Sequence, residues 1–306
     1  MKRTIRTLVM FLAAASTLVS CQKEDPALVA VSNGVLNGEF SVSPEKKVRF
    51  SQGNLQYQVV NPTAGTGVWN FADEQYSIIG NANSTIGATN TNAIDLFGWG
   101  TSGWSSGAVA YQPHSFSIRD NDYWPGGDPA NNLTGNCLNA DWGRNNVIMN
   151  GGMQAGAWRV LTAEEWDYLI NGRPNAHQKM GVGSIETAHG MFLLPDNWTP
   201  PADTNIKFKP GLAPAWTQQF EYNNYFTVAM WKELEATGVV FLPAAGYRNV
   251  KTVEGAAYGG TMGNYWSSTA QRPSTAIGLH FTHTKVVANS YSYRHFGRAV
   301  RLVRDV

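Results

Sequence analysis

Residues 263–304 hold the side chains best suited to chemistry or recognition in this 306-residue chain. His280, His283 and His295 stand there among Tyr291, Tyr293 and Arg294, in an order with no sustained period. Imidazole, phenol and guanidinium groups together admit three uses: catalysis, metal ligation or non-covalent recognition. Catalysis needs a nucleophile, a base and an orienting group gathered in one constellation, and no such set can be read from the sequence. His280 and His283 lie three apart in an extended segment, so they face opposite ways and do not chelate together. Asp120, Asp122 and Asp128 cluster near glycines. A calcium site takes six to eight oxygens, and this spacing matches no calcium loop; Asx-turn chemistry accounts for it.

Recognition remains. Tyr, Ser, Asn, Arg and His combine rigid aromatic area with adaptable hydrogen bonding, as in antibody paratopes. Tyr247, Arg248, His283, Tyr291, Tyr293 and His295 are therefore the expected contacts. Tyr247 and Tyr258 read equally well as packed aromatics with bonded hydroxyls. Arg294, Arg298 and Arg301 are expected to be structural, bonded to carbonyls or acids beneath loops.

Charge adds little. The chain carries a formal +1, so nothing global points to nucleic acid. Residues 246–306 hold eight Lys or Arg against two acids, while the remainder is acidic by five charges. Such an end could favour acidic ligands such as sulfated or sialylated glycans, but solvated strand faces and ion pairs explain it as well. A chain that is 43% hydrophobic and 15% charged, rich in Gly, Trp and Tyr, is a loop-rich globular body.

Several elements must hold these side chains in place. Residues 38–43 and 47–52 alternate apolar and polar across Ser43-Pro44-Glu45-Lys46, a hairpin signal. Residues 54–60 continue as a strand; 69–76 read as a short helix or a turn-rich strand. Residues 80–157 are loop-rich, with the aromatics of 94–104 expected to be buried. The clearest helix starts at Thr162, which forms a capping box with Glu165. Trp166, Leu169 and Ile170 share one face, and Gly172 and Pro174 stop it. Residues 190–194 and 239–242 read as buried strands. Thr227 caps a second helix over Val228–Ala236, with Met230, Trp231 and Leu234 inward and Gly238 at its end. In the tail, Ile277, Leu279 and Phe281 point one way and Gly278, His280 and Thr282 the other. Residues 298–304 form the closing strand, with Val300 and Leu302 on one face.

The amino terminus reads as an address. Lys2, Arg3 and Arg6 precede an apolar core at 8–19, too short to span a membrane. Leu18-Val19-Ser20-Cys21 resembles a bacterial lipobox, with Cys21 the lipidated first mature residue. Acyl chains add about 0.8 kcal/mol per buried CH₂. Gln22-Lys23-Glu24-Asp25 resembles the short acidic tag that sends Bacteroidetes lipoproteins to the outer face of the outer membrane. The expected organisation is a signal peptide at 1–20, an anchor and linker at 21–38, and one binding domain at 39–306 with an insert near 80–157. Cys137 is then the sole mature thiol besides Cys21, so the fold has no internal disulfide and no Cys-based metal cluster.

Five motifs in order carry a resemblance across about residues 45–306: residues 158–168, 193–198, 240–248, 265–269 and 297–303. The capped helix resembles that of the formylglycine-generating-enzyme branch of the C-type lectin fold. The set resembles a family of surface lipoproteins of gut Bacteroides. The resemblance implies an α+β, C-type-lectin-like fold: two helices on small twisted antiparallel sheets, loop-rich, with the first and last strands paired. Some relatives are diversity-generating-retroelement variable proteins, whose carboxy-terminal surface is rewritten at template adenines. By that resemblance the variable, ligand-binding positions are Ile277, Gly278, His280, Thr282, His283, Val287, Asn289, Ser290, Tyr291, Ser292, Tyr293, His295 and Phe296. Trp266, Ser267, Ser268, Leu279, Phe281, Val286, Arg294, Gly297, Val300 and Arg301 are framework. The enzymatic branch uses paired carboxy-terminal cysteines with copper, and this chain has no Cys after 137. Calcium lectins pair a carboxylate and an amide around a proline, and Leu194-Pro195-Asp196 lacks the leading ligand. The expected protein is thus not an enzyme and takes no cofactor or metal. It is an outer-membrane, lipid-anchored surface protein that binds an extracellular protein or glycan. The alternative is a structural or tip subunit of a surface adhesin or pilus assembly, with residues 27–60 supplying a docking strand.

Overall fold

A computed structural model describes residues 33–61, 66–85, 93–104, 120–202, 205–217 and 219–306. The lipobox, Cys21 and the signal peptide lie outside them. The described chain is α+β, with most strands in small antiparallel sheets and few helices. The hairpin Phe40–Ser41 and Lys47–Phe50 forms across the turn the alternation predicts. Its outer edge receives the last strand, Val303–Asp305, with Val303 opposite Phe50 and Asp305 opposite Val48. The last strand is therefore paired with the second strand of the first hairpin, not with the first strand itself.

The closing strand is shorter than the expected 298–304, because the chain before it is shared among several partners. Gly297 bridges Arg248, Arg298 bridges Phe97, and Ala299 runs beside Tyr265. The carbonyls of Val300 and Leu302 accept from the amides of Leu55 and Ser51. A second sheet, Thr66–Phe71 with Leu55–Asn61 and Ala93–Ile94, is thereby tied to the tail. The stretch 69–76 therefore begins as the end of a strand. The tail's own sheet is Gly263–Arg272, Thr275–Phe281 and Val286–Tyr293. A four-stranded sheet orders Tyr225–Phe226, Met180–Ile185, Ala188–Leu193 and Val240–Pro243.

Both predicted helices form. The Thr162 hydroxyl accepts from the Glu165 amide, and the Glu165 carboxylate accepts from the Thr162 amide. Arg159 holds that carboxylate at 2.6 Å and Asp305 at 2.6 Å, which joins the helix cap to the last strand. The helix Ala163–Asp167 then widens into a π-turn over Tyr168–Gly172, where the Arg173 amide reaches the Tyr168 carbonyl. Thr227 caps Val228–Ala236, which buries Trp231 and Leu234. Met230 is only partly buried against them. A third helical piece, Trp142–Asn145, is a single turn capped by buried Asp141.

Three apolar clusters form the interior. Trp166, Leu169 and Ile170 pack with Tyr265, Leu279 and Phe281 between the capped helix and the tail sheet. Trp266, Val300 and Leu302 instead join Leu55, Phe97, Trp99, Trp142 and Trp158, so the aromatics of the loop-rich stretch share a core with both ends of the chain. Trp104 is the exception, being exposed. The second helix covers the third cluster. The folded body also begins before residue 39. Leu36 is buried and donates its amide to Phe50, so residues 33–38 are not a linker.

Buried guanidinium groups fasten loops to this interior. Arg294 donates to the carbonyls of Thr275, Tyr123, Pro129 and Arg272, the last two at 2.6 and 3.0 Å, and lies 4.5 Å over Trp99. Arg301 donates to Gln75 at 2.6 Å and to the Phe241 carbonyl. Arg173 reaches the Leu194 and Lys179 carbonyls and Asp196. Asp196 also accepts from the Ser41 amide and hydroxyl, so its carboxylate serves the frame.

These contacts differ in weight. Thr162→Ala removes one cap bond and costs about 1 kcal/mol. Arg294→Met strands four carbonyls at once and costs about 3 kcal/mol or more, because each orphaned acceptor costs about 1–3. Urea unfolding of the two variants checks the order: Arg294→Met lowers the midpoint far more.

Candidate ligand-binding site

The expected contact residues fall in three separate places. Thr282 and His283 line a cleft of about 870 Å³, within the roughly 300–1,000 Å³ usual for small-ligand sites. Tyr247, Tyr293, His295 and Phe296 form a ring cluster elsewhere: Tyr247 packs on Phe296 at 5.4 Å, and Tyr293 stacks on His295 at 5.4 Å. Asn289, Ser290, Tyr291 and Ser292 run along the outer strand of the tail sheet. Asn289 is exposed there and Tyr291 is 65% exposed. Ile277 and Val287 are half-buried in the same sheet, opposite Tyr291 and His280.

Two expected contacts are corrected outright. Arg248 is 1% exposed, with its guanidinium on the Leu96 carbonyl and its backbone paired with Gly297, so it offers a ligand nothing. Gly278 is buried, and a Cβ there would overlap the Tyr265 carbonyl oxygen. That position takes no side chain and cannot vary. His280 is half-buried with Nδ1 3.0 Å from Asn264 Oδ1. Burial, then the charges of Arg298 and Lys285, push its pKa down, so it stands neutral at pH 7. His295 is only 9% exposed. Outside this set, burial raises the Cys137 thiol, which disfavours the reactive thiolate. Asp128 accepts from the Ala130 amide in the expected Asx turn. Among the described residues, no group of three or more His, Cys, Asp or Glu side chains could hold a metal ion.

The cleft is assembled from four segments far apart in sequence. The strand Ala188–Leu193 supplies His189, whose amide donates to the Gly259 carbonyl and whose carbonyl accepts from Ala244. The His189 ring stacks on Phe220 at 5.2 Å. Nδ1 lies 2.7 Å from the Gly260 carbonyl oxygen. A carbonyl only accepts, so Nδ1 carries a proton and Nε2 is left facing Glu221, 3.3 Å from Oε2. Phe220 and Glu221 belong to the one-turn helix Phe220–Tyr222. The loop at 258–262 closes another side. Gly260 has φ +101°, and a Cβ there would overlap the Ala244 carbonyl oxygen, so only glycine lets the loop press this close to the sheet.

The rim is aromatic and acidic. Tyr225 is half exposed and donates its hydroxyl to Glu186 at 3.0 Å. That hydrogen bond and the carboxylate's charge hold the phenol protonated above its usual range. Glu186 also accepts from the Val228 amide, at the start of the second helix. Tyr258 is 94% exposed with φ +55°, which decides against the packed alternative for it. A bulky residue in the left-handed region carries strain of order 1 kcal/mol or more, yet here it presents a whole ring to solvent.

Sequence reasoning missed His189, Glu221, Glu186, Phe220 and Tyr225. The one local signal is the aromatic and acidic run Phe220-Glu221-Tyr222-Asn223-Asn224-Tyr225, which follows no helical or strand period.

Tolerance separates frame from rim. Gly278→Ser destabilises by at least about 2 kcal/mol through overpacking, whereas Tyr291→Ala stays within about 0.5 kcal/mol. Thermal unfolding of both variants checks the contrast.

A family model described as a domain of unknown function (DUF8237) matches residues 216–303, which include the tail sheet and three of the four cleft segments. No curated protein and no solved structure matches the chain.

Proposed function

We propose that this chain is a non-catalytic, lipid-anchored outer-membrane protein that binds an extracellular protein or glycan through a C-type-lectin-like domain. The observation that carries the reading is the cleft. It places exposed Tyr258, half-exposed Tyr225 and half-buried His283 around a fixed floor of Phe220 and His189. Rigid aromatic walls with a few convergent polar groups are the usual make-up of a recognition site. The fold part of the proposal is supported by the pairing of Lys47–Phe50 with Val303–Asp305 and by two capped helices on small sheets. The anchoring part stands on the lipobox sequence around Cys21.

Diversification of the tail, if present, is confined to positions that side chains can leave. Asn289, Tyr291 and Tyr293 are exposed and meet that condition. Gly278 does not, and the resemblance is narrowed by that much. The alternative of an assembly subunit has less support. Lys47–Phe50 is already paired on both edges, so that strand has no free edge for docking.

Screening the domain from residue 33 onward on glycan and protein arrays tests the reading. The expected result is saturable binding to a defined ligand class, weakened by Tyr258→Ala. No binding on either array, together with polymer formation in solution, supports the assembly subunit instead.

A further inference from the structure

The cleft has a charge character opposite to that of the tail that borders it. Glu186 and Glu221 line it, and no Lys or Arg does. Lys285, two residues beyond His283, is exposed and lies outside the lining. Carboxylates only accept hydrogen bonds, so Glu186 and Glu221 call for a donor, and a cationic one above all. The Glu221 Oε2 atom is shielded from solvent and makes no hydrogen bond of good geometry, although His189 Nε2 stands 3.3 Å away. Glu186 is steered into place by the Tyr225 hydroxyl and the Val228 amide. Beside these acids stand the faces of Tyr225, Tyr258 and Phe220, and an aromatic face attracts cations through its quadrupole.

The rest of the lining mixes the polar side chains of Thr187, Gln219, Thr261, Thr282 and His283 with an apolar part at Phe220 and Met262. Buried Phe220 and half-buried Met262 offer no hydrogen bond to a ring of sugar hydroxyls, but they suit a methylene stem. A stem that is apolar along its length and carries donors and positive charge at its tip matches walls, rim and carboxylates together. We infer that the cleft takes the side chain of a lysine or arginine presented by a partner protein. The stem lies on Phe220 and Met262, the ring of Tyr258 covers it, and the cationic head meets Glu221 and Glu186. The inference rests on the binding reading above and names the ligand class for this cleft.

Isothermal titration of the domain from residue 33 onward with small probes tests it. The probes are the blocked amides of lysine and arginine, the blocked amides of norleucine and glutamate, and glucosamine. The expected result is saturable binding of the lysine or arginine amide, weakened roughly tenfold or more by Glu221→Gln and reduced by Tyr258→Ala. Affinity falls as salt rises, because the contact is between charges. Tyr258 is exposed, so its variant folds and reports on binding alone. The inference is overturned if norleucine or glutamate amide binds as well as lysine amide, if glucosamine binds as tightly, or if no probe binds. An array hit indifferent to Glu221→Gln would also overturn it while leaving the binding reading in place. Absence of any array hit removes the binding reading itself.

Discussion

Residues 297–305 are the constraint on which the rest of the structure depends. Their backbone is bonded in turn to Arg248, Phe97, the strand at Tyr265, Leu55, Ser51, Arg159 and the first hairpin. Apart from Leu55 and Ser51, no two consecutive partners come from the same part of the chain. A segment so divided cannot be a long regular strand, which is why only its last three residues form one. The side chains extend the same function. Arg301 reaches Gln75, which in turn holds the Phe241 amide and Glu235. Arg298 lies 4.9 Å over Trp266. With no disulfide among the described residues, long-range order comes from this strip and from the buried arginines around it.

Those arginines also change what charge says about function. Burial pushes Arg248, Arg298 and Arg301 down to about 10, so they remain charged at neutral pH inside the protein. Removing a guanidinium from water is costly; hydrogen bonds of roughly 1.5–3 kcal/mol each offset that cost for Arg248 and Arg301, while Arg298 has the Trp266 face. Much of the basic excess of the tail thereby holds loops, while Lys251, Arg272 and Lys285 stay exposed. Beside the tail, the formal charges of the proposed ligand cleft are carboxylates. An acidic-ligand reading drawn from composition thus has the sign reversed at the proposed cleft.

What the sequence disclosed divides along physical lines. The two helix caps were legible because Thr162 with Glu165, and Thr227 with Met230, act within one turn of chain. The hairpin at 40–50 and the buried strands at 188–193 and 240–243 were legible from alternation or from short apolar runs between turns. The structural role of Arg294 and Arg301 was legible because a cation among framework apolar residues must be bonded. Arg248 was misjudged, because its partner Leu96 lies 152 residues away. The cleft was illegible for the same reason. His189, Glu221 and Tyr258 are brought together only by the four-stranded sheet and the loop at 258–262. Tyr258 was left open between packed and exposed, since nothing local announces a left-handed tyrosine.

Amide hydrogen exchange on the free protein tests the frame-and-rim account most directly. If residues 297–303 lock the sheets together, the amides of Arg298, Ala299 and Val303 exchange only through global unfolding. The loop at 258–262 and the segment at 219–225 exchange faster, since they are carried by that frame. Exchange of Ala299 and Val303 as fast as that of the cleft loops, with the protein otherwise folded, would contradict the account.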